Sequence, residues 1–282
     1  MLPPASATPQ PPEPAPLSLS PGDSPSPVIH VIHHFACTGG SLISKCIAAQ
    51  PDVVLLSEID PLSLIGVSPA RPIFSPRSVI EQLRYNQRGN SDALITAVFQ
   101  SEIKTLLDGL AREGQSLVLR DHAHSHYCVG SAVPDRPNLR AILTAVATTR
   151  SIVTVRHPIE SYLSLLSKGN WLNIIPQTLD EYCLRYARFL DDYADQPVFR
   201  YEDFLTAPED RLREICAALG LPHEPGAMDL RDSFPVSGDS GRGGKAISPR
   251  PRRPIPTQVI DQAESAAYPR LCRRLGYDSA LS

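Results

Sequence analysis

A chain of 282 residues with 27 Lys+Arg against 30 Asp+Glu has room for one large domain or two small ones, with a core of ordinary size. Its near-balanced charge excludes a global positive field for nucleic acid, so any basic site must be local. Six scattered cysteines (Cys37, Cys46, Cys128, Cys183, Cys216, Cys272) form no CxxC pair, which disfavours a disulfide framework or zinc ribbon and fits reduced thiols in a cytoplasmic protein.

Residues 1–27 are rich in Pro, Ser and Ala and carry no Lys or Arg. They are expected to form a disordered, partly polyproline-II arm ahead of one domain spanning 28–282. The arm has neither the positive start nor the apolar run of a signal peptide. No apolar run in the chain is long enough for a membrane span.

From Val28 onward, strand-like and helix-like segments alternate. Val28–Phe35 is β-rich, and Leu42–Ala49 is helical, the helix opening near Gly40. Val53–Ser57 is a short apolar strand ending at Glu58. Ser91–Arg112 has helical periodicity, with Leu94, Val98, Ile103, Leu106, Leu107 and Leu110 on one broad face. Strands follow at Ser116–Arg120 and Ile152–Arg156, and a helix begins after Pro158. Thr178 caps a long helix reaching Tyr193, with Glu181 as its box partner. Pro197–Tyr201 is a strand, and Pro208–Leu219 a helix stopped by Gly220 and Pro222.

This βαβα order predicts an α/β fold of three layers, a mostly parallel sheet flanked by helices. In such sheets ligands bind beyond the carboxyl ends of the strands. Those ends carry Cys37–Ser41, Glu58, Asp121-His122, Arg156-His157 and Tyr201-Glu202-Asp203.

Two of the ends suit anions. The turn Cys37-Thr38-Gly39-Gly40-Ser41-Leu42 leads from a strand into a helix, gathering backbone N–H groups and the positive end of the helix dipole at one spot. No Gly-Lys-Ser/Thr closes it, so the Walker A pattern fails. Arg156 leaves a later strand, and Ser164 and Lys168 lie four residues apart on one face of the helix that follows. An arginine fork, a hydroxyl and a lysine converging there suit a second phosphate; an ordinary helix cap with a solvated lysine is the alternative.

Together these segments resemble the sulfotransferases that use 3′-phosphoadenosine-5′-phosphosulfate (PAPS), from about Val28 to Tyr277, with motif spacing nearest the tyrosylprotein branch. The resemblance implies a P-loop-like sulfotransferase fold in which Cys37, Thr38, Gly39, Gly40, Ser41 and Leu42 hold the 5′-phosphosulfate. It places the 3′-phosphate on Arg156 and Ser164, with Lys168 as a further basic contact, and sets Tyr201 near the adenine. The stretch Ser237–Arg250, with Ser240, Arg242 and Arg250, resembles the family's C-terminal cofactor loop. The implied reaction moves a sulfuryl group to a hydroxyl or amine acceptor by in-line displacement, driven by positioning and charge stabilisation and without a metal.

One departure stands out. Cys37 occupies the loop position where the family places a Lys or Arg to neutralise the leaving group. Lys45 lies downstream in the helix, so a replacement cation is expected from elsewhere, with Arg120, Arg242 and Lys245 as candidates; otherwise the enzyme is slow or its substrate helps. The reaction also needs a general base. Glu58 matches the base of the tyrosylprotein enzymes and is slightly favoured for its spacing from the loop; His122 matches the histidine base of the cytosolic enzymes, a residue type whose unperturbed imidazole suits general-base work.

The alternate spacing of His122, His124 and His126 would suit zinc only on a strand, and the run falls just after one. The cluster Arg242, Lys245, Arg250, Arg252 and Arg253 lacks interleaved aromatics and reads as a local anion clamp. Tyr162 and Trp171 either line an acceptor pocket or pack. Acceptor selection is expected from the loops Ser68–Asn90 and His124–Arg140. Two other readings stay open. One is a P-loop-like kinase or nucleotide-binding protein, with Asp121 as the sole Mg²⁺-holding candidate; the other is a catalytically weak PAPS-binding module.

Overall fold

The computed structural model describes residues 27–67, 74–86, 88–167, 173–237 and 246–281. Lys168, Trp171, Ser240, Arg242 and Lys245, together with residues 1–26, lie outside these.

The chain opens with β1 (Val28–His34), α1 (Gly40–Ala48) and β2 (Val53–Ile59), followed by α2 (Val79–Tyr85) and the long α3 (Asp92–Arg112). Next come β3 (Ser116–Asp121), the short α4 (Ala123–Tyr127), β4 (Val129–Gly130), α5 (Leu139–Leu143) and β5 (Thr148–Val155). Then α6 (Pro158–Leu166), β6 (Asn173–Ile174), α7 (Leu179–Asp192), β7 (Val198–Arg200), α8 (Tyr201–Thr206) and α9 (Pro208–Leu219). A 3₁₀ turn at Ala227–Ser233, α10 (Thr257–Gln262) and α11 (Ala267–Leu275) close the described chain.

Five strands form one parallel sheet in the order β2-β3-β1-β5-β7. β1 is central, and its Val-Ile-rich run is buried on both faces, as an interior parallel strand requires. Side chains alternate between two covering layers. Ile29 and Val31 pack with Ile95, Phe99 and Ile103 of α3, while Ile32 packs with Ile43 and Ile47 of α1 and Ile215 of α9. Farther along that first face, Val153 and Val155 meet Tyr182, Tyr186 and Phe189 of α7. The three-layer α/β expectation holds.

From β1 the chain crosses towards β2 at one edge, and from β5 it crosses towards β7 at the other. The connections diverge between these adjacent strands, which opens a crevice beyond their carboxyl ends. The Cys37–Leu42 turn and Arg156 leave from those two ends.

Several boundaries differ from expectation. β5 begins at Thr148, because Thr148–Ser151 pair in register with Val28–Val31 despite their polarity. β7 stops at Arg200, and Tyr201 begins α8. Within α3 the buried stripe is Ile95, Phe99, Ile103, Leu107 and Leu110, while Leu94 is 43 % exposed. The expected loops 68–90 and 124–140 contain α2, most of α4 and the start of α5; helices this short carry little periodicity to read.

Arg185 ties α7 to β4. It is 2 % exposed, pairs with Glu181 at 2.7 Å and donates to the carbonyls of Tyr127, Val129 and Gly130.

Candidate active site

The turn after β1 is tight because its backbone visits conformations that small residues permit. Cys37 and Gly39 have φ of 62° and 90°. A Cβ on Gly39 would fall 2.1 Å from Tyr201 Cδ2, and one on Gly40 would fall 2.5 Å from His34 Cγ. Only glycine fits either place. Thr38 braces the turn from inside: it is fully buried and its Oγ1 donates to the Phe35 carbonyl at 2.7 Å. α1 has no acidic residue in its first turn, so its dipole faces the crevice uncompensated.

A cleft of about 970 Å³ opens beside this turn, lined by Cys37, Gly39, Ser41 and Leu42 on one side and by Arg156, Glu160 and Ser164 on the other. Tyr201, Arg250, Arg252 and Arg253 also line it. The Arg156 guanidinium stands 5.4 Å from the centre of the Tyr201 ring and donates to the Cys37 carbonyl at 3.4 Å. Its backbone is fixed by Tyr186, whose hydroxyl accepts from Arg156 N at 3.1 Å. Pro158 occupies the first turn of α6, and Glu202 accepts from the N–H of His157 at 3.1 Å, so strand end and helix start are both held. Arg253 is anchored to Ser167 Oγ at 3.0 Å. The described arginines of the basic cluster thus flank the cleft.

On the other side of Ser41 lies a second group. The β2–β3 register pairs Leu56 with Leu119 and Ile59 with Asp121, so Ser57 and Glu58 together oppose the single residue Arg120. This is a β-bulge, a device that re-aims side chains, and Glu58 adopts φ of 59° within it. Arg120 donates to Ser57 Oγ at 2.8 Å and Ser41 Oγ at 3.0 Å, and pairs with Glu58 at 2.5 Å. It also donates to the Ser237 carbonyl at 2.8 Å and, through Nε, to His34 Nε2 at 2.9 Å. An arginine Nε can only donate, so His34 accepts there and carries its proton on Nδ1. Burial, then the Arg120 charge, push the His34 imidazole well below its ordinary 6.5, which keeps the ring neutral. The other oxygen of Glu58 lies 3.3 Å from His122 Nε2.

The structure therefore brings together the turn, Arg156, Ser164, Tyr201 and Arg250 around one cleft, and Glu58 and His122 beside Arg120. Lys45 is in the last turn of α1, 3.9 Å from Asp232, away from the helix start. Thr38 directs its hydroxyl into the fold. Asp121 is buried, accepting from His33 Nδ1 at 2.7 Å and Tyr193 OH at 3.0 Å, so its carboxylate is committed to the interior. Tyr162 is a core residue against Tyr182. His124 and His126 lie on α4, a helix, and among the described residues no three His, Cys, Asp or Glu side chains group as a metal site. Lys168, Ser240 and Arg242 fall outside the described residues. Sequence reasoning missed His34, Ser57 and Glu160; only Glu160 left a signal, one helical turn beyond Arg156.

An open parallel sheet with a glycine turn leading into a helix at its switch point defines a class shared by many transferases and nucleotide binders. Residues 35–225 match the family model described as the sulfotransferase family, and the chain belongs to that family. Among solved structures it resembles the sulfotransferase domain from the Synechococcus PCC 7002 olefin synthase, with a TM-score of 0.52 at 18 % identity, covering 91 % of this chain and 98 % of that one. It also resembles the sulfotransferase domain from the curacin biosynthetic pathway, with a TM-score of 0.51 at 18 % identity, covering 89 % and 98 % of the two chains. At that identity the likeness speaks to fold. No curated protein matches the sequence. Among the described residues no helix is long and apolar enough to cross a membrane.

Proposed function

We propose that this chain transfers a sulfuryl group from PAPS to a hydroxyl or amine acceptor. The observation that carries the reading is the position of Ser41, which lines the cleft while its hydroxyl accepts from Arg120. The donor site and the Arg120–Glu58–His122 group are thereby joined at one residue. PAPS supplies an activated sulfuryl group whose S–O bond to the 5′-phosphate breaks as the acceptor attacks.

The chain's own residues account for the rest. The turn opens α1, whose N-terminus offers an anion backbone N–H groups, and Arg156 with Ser164 offers a fork and a hydroxyl to a second phosphate. Arg120 supplies the positive charge that Cys37 lacks, at a fixed place beside Ser41. Glu58 and His122 act as one unit. With Nε2 facing Glu58, a neutral His122 that donates there presents Nδ1 to the acceptor proton. Glu58 holds the ring and its charge is held in turn by Arg120. The committed carboxylate of Asp121 speaks against the kinase reading, which needs it for a metal.

Thermal-shift titration with adenosine 3′,5′-bisphosphate against ATP–Mg²⁺ tests the donor. A selective rise in Tm with the bisphosphate is expected, and a rise with ATP–Mg²⁺ alone would sink the reading. Turnover of His122→Ala is expected to fall by about 10²–10⁴-fold with bisphosphate binding intact. Normal turnover in that variant, together with a dead Glu58→Ala, would hand the proton to Glu58.

A further inference from the structure

Glu160 is a carboxylate in a cleft otherwise suited to anions. Arg156, Glu160 and Ser164 recur at every fourth residue, so they stack along one side of α6 and its approach, and all three line the cleft. Glu160 Oε2 is 3.4 Å from Arg156 Nη2, a long contact for a hydrogen bond. Its other oxygen, Oε1, is buried with no hydrogen-bond partner among the described residues. An acceptor left in that state is destabilising, and a donor on a bound ligand would remove the cost. A phosphate spanning Arg156 and Ser164 would also meet the Glu160 charge head-on unless a neutral donor stood between them.

A ribose phosphorylated on O3′ carries such a donor on the neighbouring carbon, the 2′-hydroxyl. We propose that Glu160 is a specificity residue: it accepts a hydrogen bond from the 2′-hydroxyl of a 3′-phosphorylated ribonucleotide while Arg156 takes the phosphate, and it repels the 2′-phosphate isomer. The inference rests on the donor reading given above and adds how the sugar is read. A site with a dedicated partner for a hydroxyl rejects the analogue lacking it, because the buried acceptor is then stranded.

Calorimetric titration of the full chain tests it, with adenosine 3′,5′-bisphosphate, the 2′-deoxy analogue of that compound and adenosine 2′,5′-bisphosphate as probes. Wild type is expected to prefer the 3′,5′-bisphosphate over the deoxy analogue by about tenfold or more, and over the 2′,5′ isomer by a larger factor. Glu160→Ala should bind the ribo and deoxy compounds alike. Glu160→Gln, which keeps shape and loses charge, should gain affinity for the 2′,5′ isomer. Equal wild-type affinity for the ribo and deoxy compounds, or unchanged discrimination in the variants, overturns the role of Glu160 and leaves the donor reading standing. A wild-type chain that binds none of the three overturns both.

Discussion

Glu58 and Arg120 meet at 2.5 Å because a bulge sets two residues of β2 against one of β3. In an unbroken ladder successive side chains point to opposite faces, and Ser57 and Glu58 would not reach the same guanidinium. The extra residue turns both towards Arg120, which is 2 % exposed and already held by Ser41 and His34. The carboxylate beside both Arg120 and His122 is thus a consequence of a single irregularity in pairing.

Arg120→Lys keeps the charge and loses the planar fork. A single ammonium does not hold Ser41, Ser57, His34 and Glu58 in one plane. Sulfuryl transfer is expected to fall by about 10²–10³-fold, the range for removing a preorganised donor, with bisphosphate affinity much less affected. Single-turnover rates set beside calorimetric Kd values check this; wild-type rates in the lysine variant would contradict it.

Gly39→Ala introduces a Cβ 2.1 Å from the Tyr201 ring at a φ of 90°. The backbone strain alone is about 1–3 kcal/mol, and the ring has little room because Tyr201 is buried. Chemical denaturation should record the loss, and bisphosphate binding should weaken with it. The double variant Gly39→Ala/Tyr201→Ala is expected to recover part of the stability lost to the clash, though not the part due to strain. No recovery would mean that the contact is unimportant.

Burial lowers His30, His34, His126 and His157 below their ordinary 6.5. Each therefore binds a proton more readily in the unfolded chain than in the fold, so stability rises with pH wherever the unfolded chain holds more protons. The histidine contribution is complete above the unfolded value of 6.5 and is lost progressively as pH falls below it. Urea midpoints measured from about pH 8 to about pH 5 should be flat at the upper end and drop at the lower. His34→Gln should flatten the drop, and an unchanged slope would show that His34 takes no part.

Arg185→Met removes the partner of Glu181 and of three carbonyls, none of them on a residue that lines the cleft. Truncating one member of a buried ionic network costs about 3–5 kcal/mol. The midpoint of denaturation should fall accordingly, while bisphosphate affinity at low temperature stays as in wild type. A matching loss of affinity would show that the damage reaches Arg156 through Tyr186, its hydrogen-bond partner on α7.

The elements legible in the sequence were those with a long signal of their own. The Val-Ile run of β1, the periodic α3 and the Thr178 cap, whose hydroxyl accepts from Glu181 N at 3.2 Å, all fall where pattern and capping chemistry put them. The polar start of β5 and the short α2, α4 and α8 were not legible, because pairing to β1 or packing on the sheet stabilises them and their own composition does not. Glu160 illustrates the same limit at the site: its place in the cleft, with one oxygen unpartnered, depends on what surrounds it.

By itself the sequence determined the layered parallel fold, the glycine turn at its first strand end and the polar strand ends that carry Arg156, Glu58 and His122, since hydrophobic period, turn chemistry and residue order are local properties; the resemblance to known sulfotransferases made those three residues site candidates. Only the tertiary structure decided that Glu58 and His122 are neighbours, that Arg120 and not Lys45 stands by Ser41, and that Asp121 is turned inward to His33. Those outcomes depend on strand register and on which buried charges find partners, and both are fixed by residues distant in the chain.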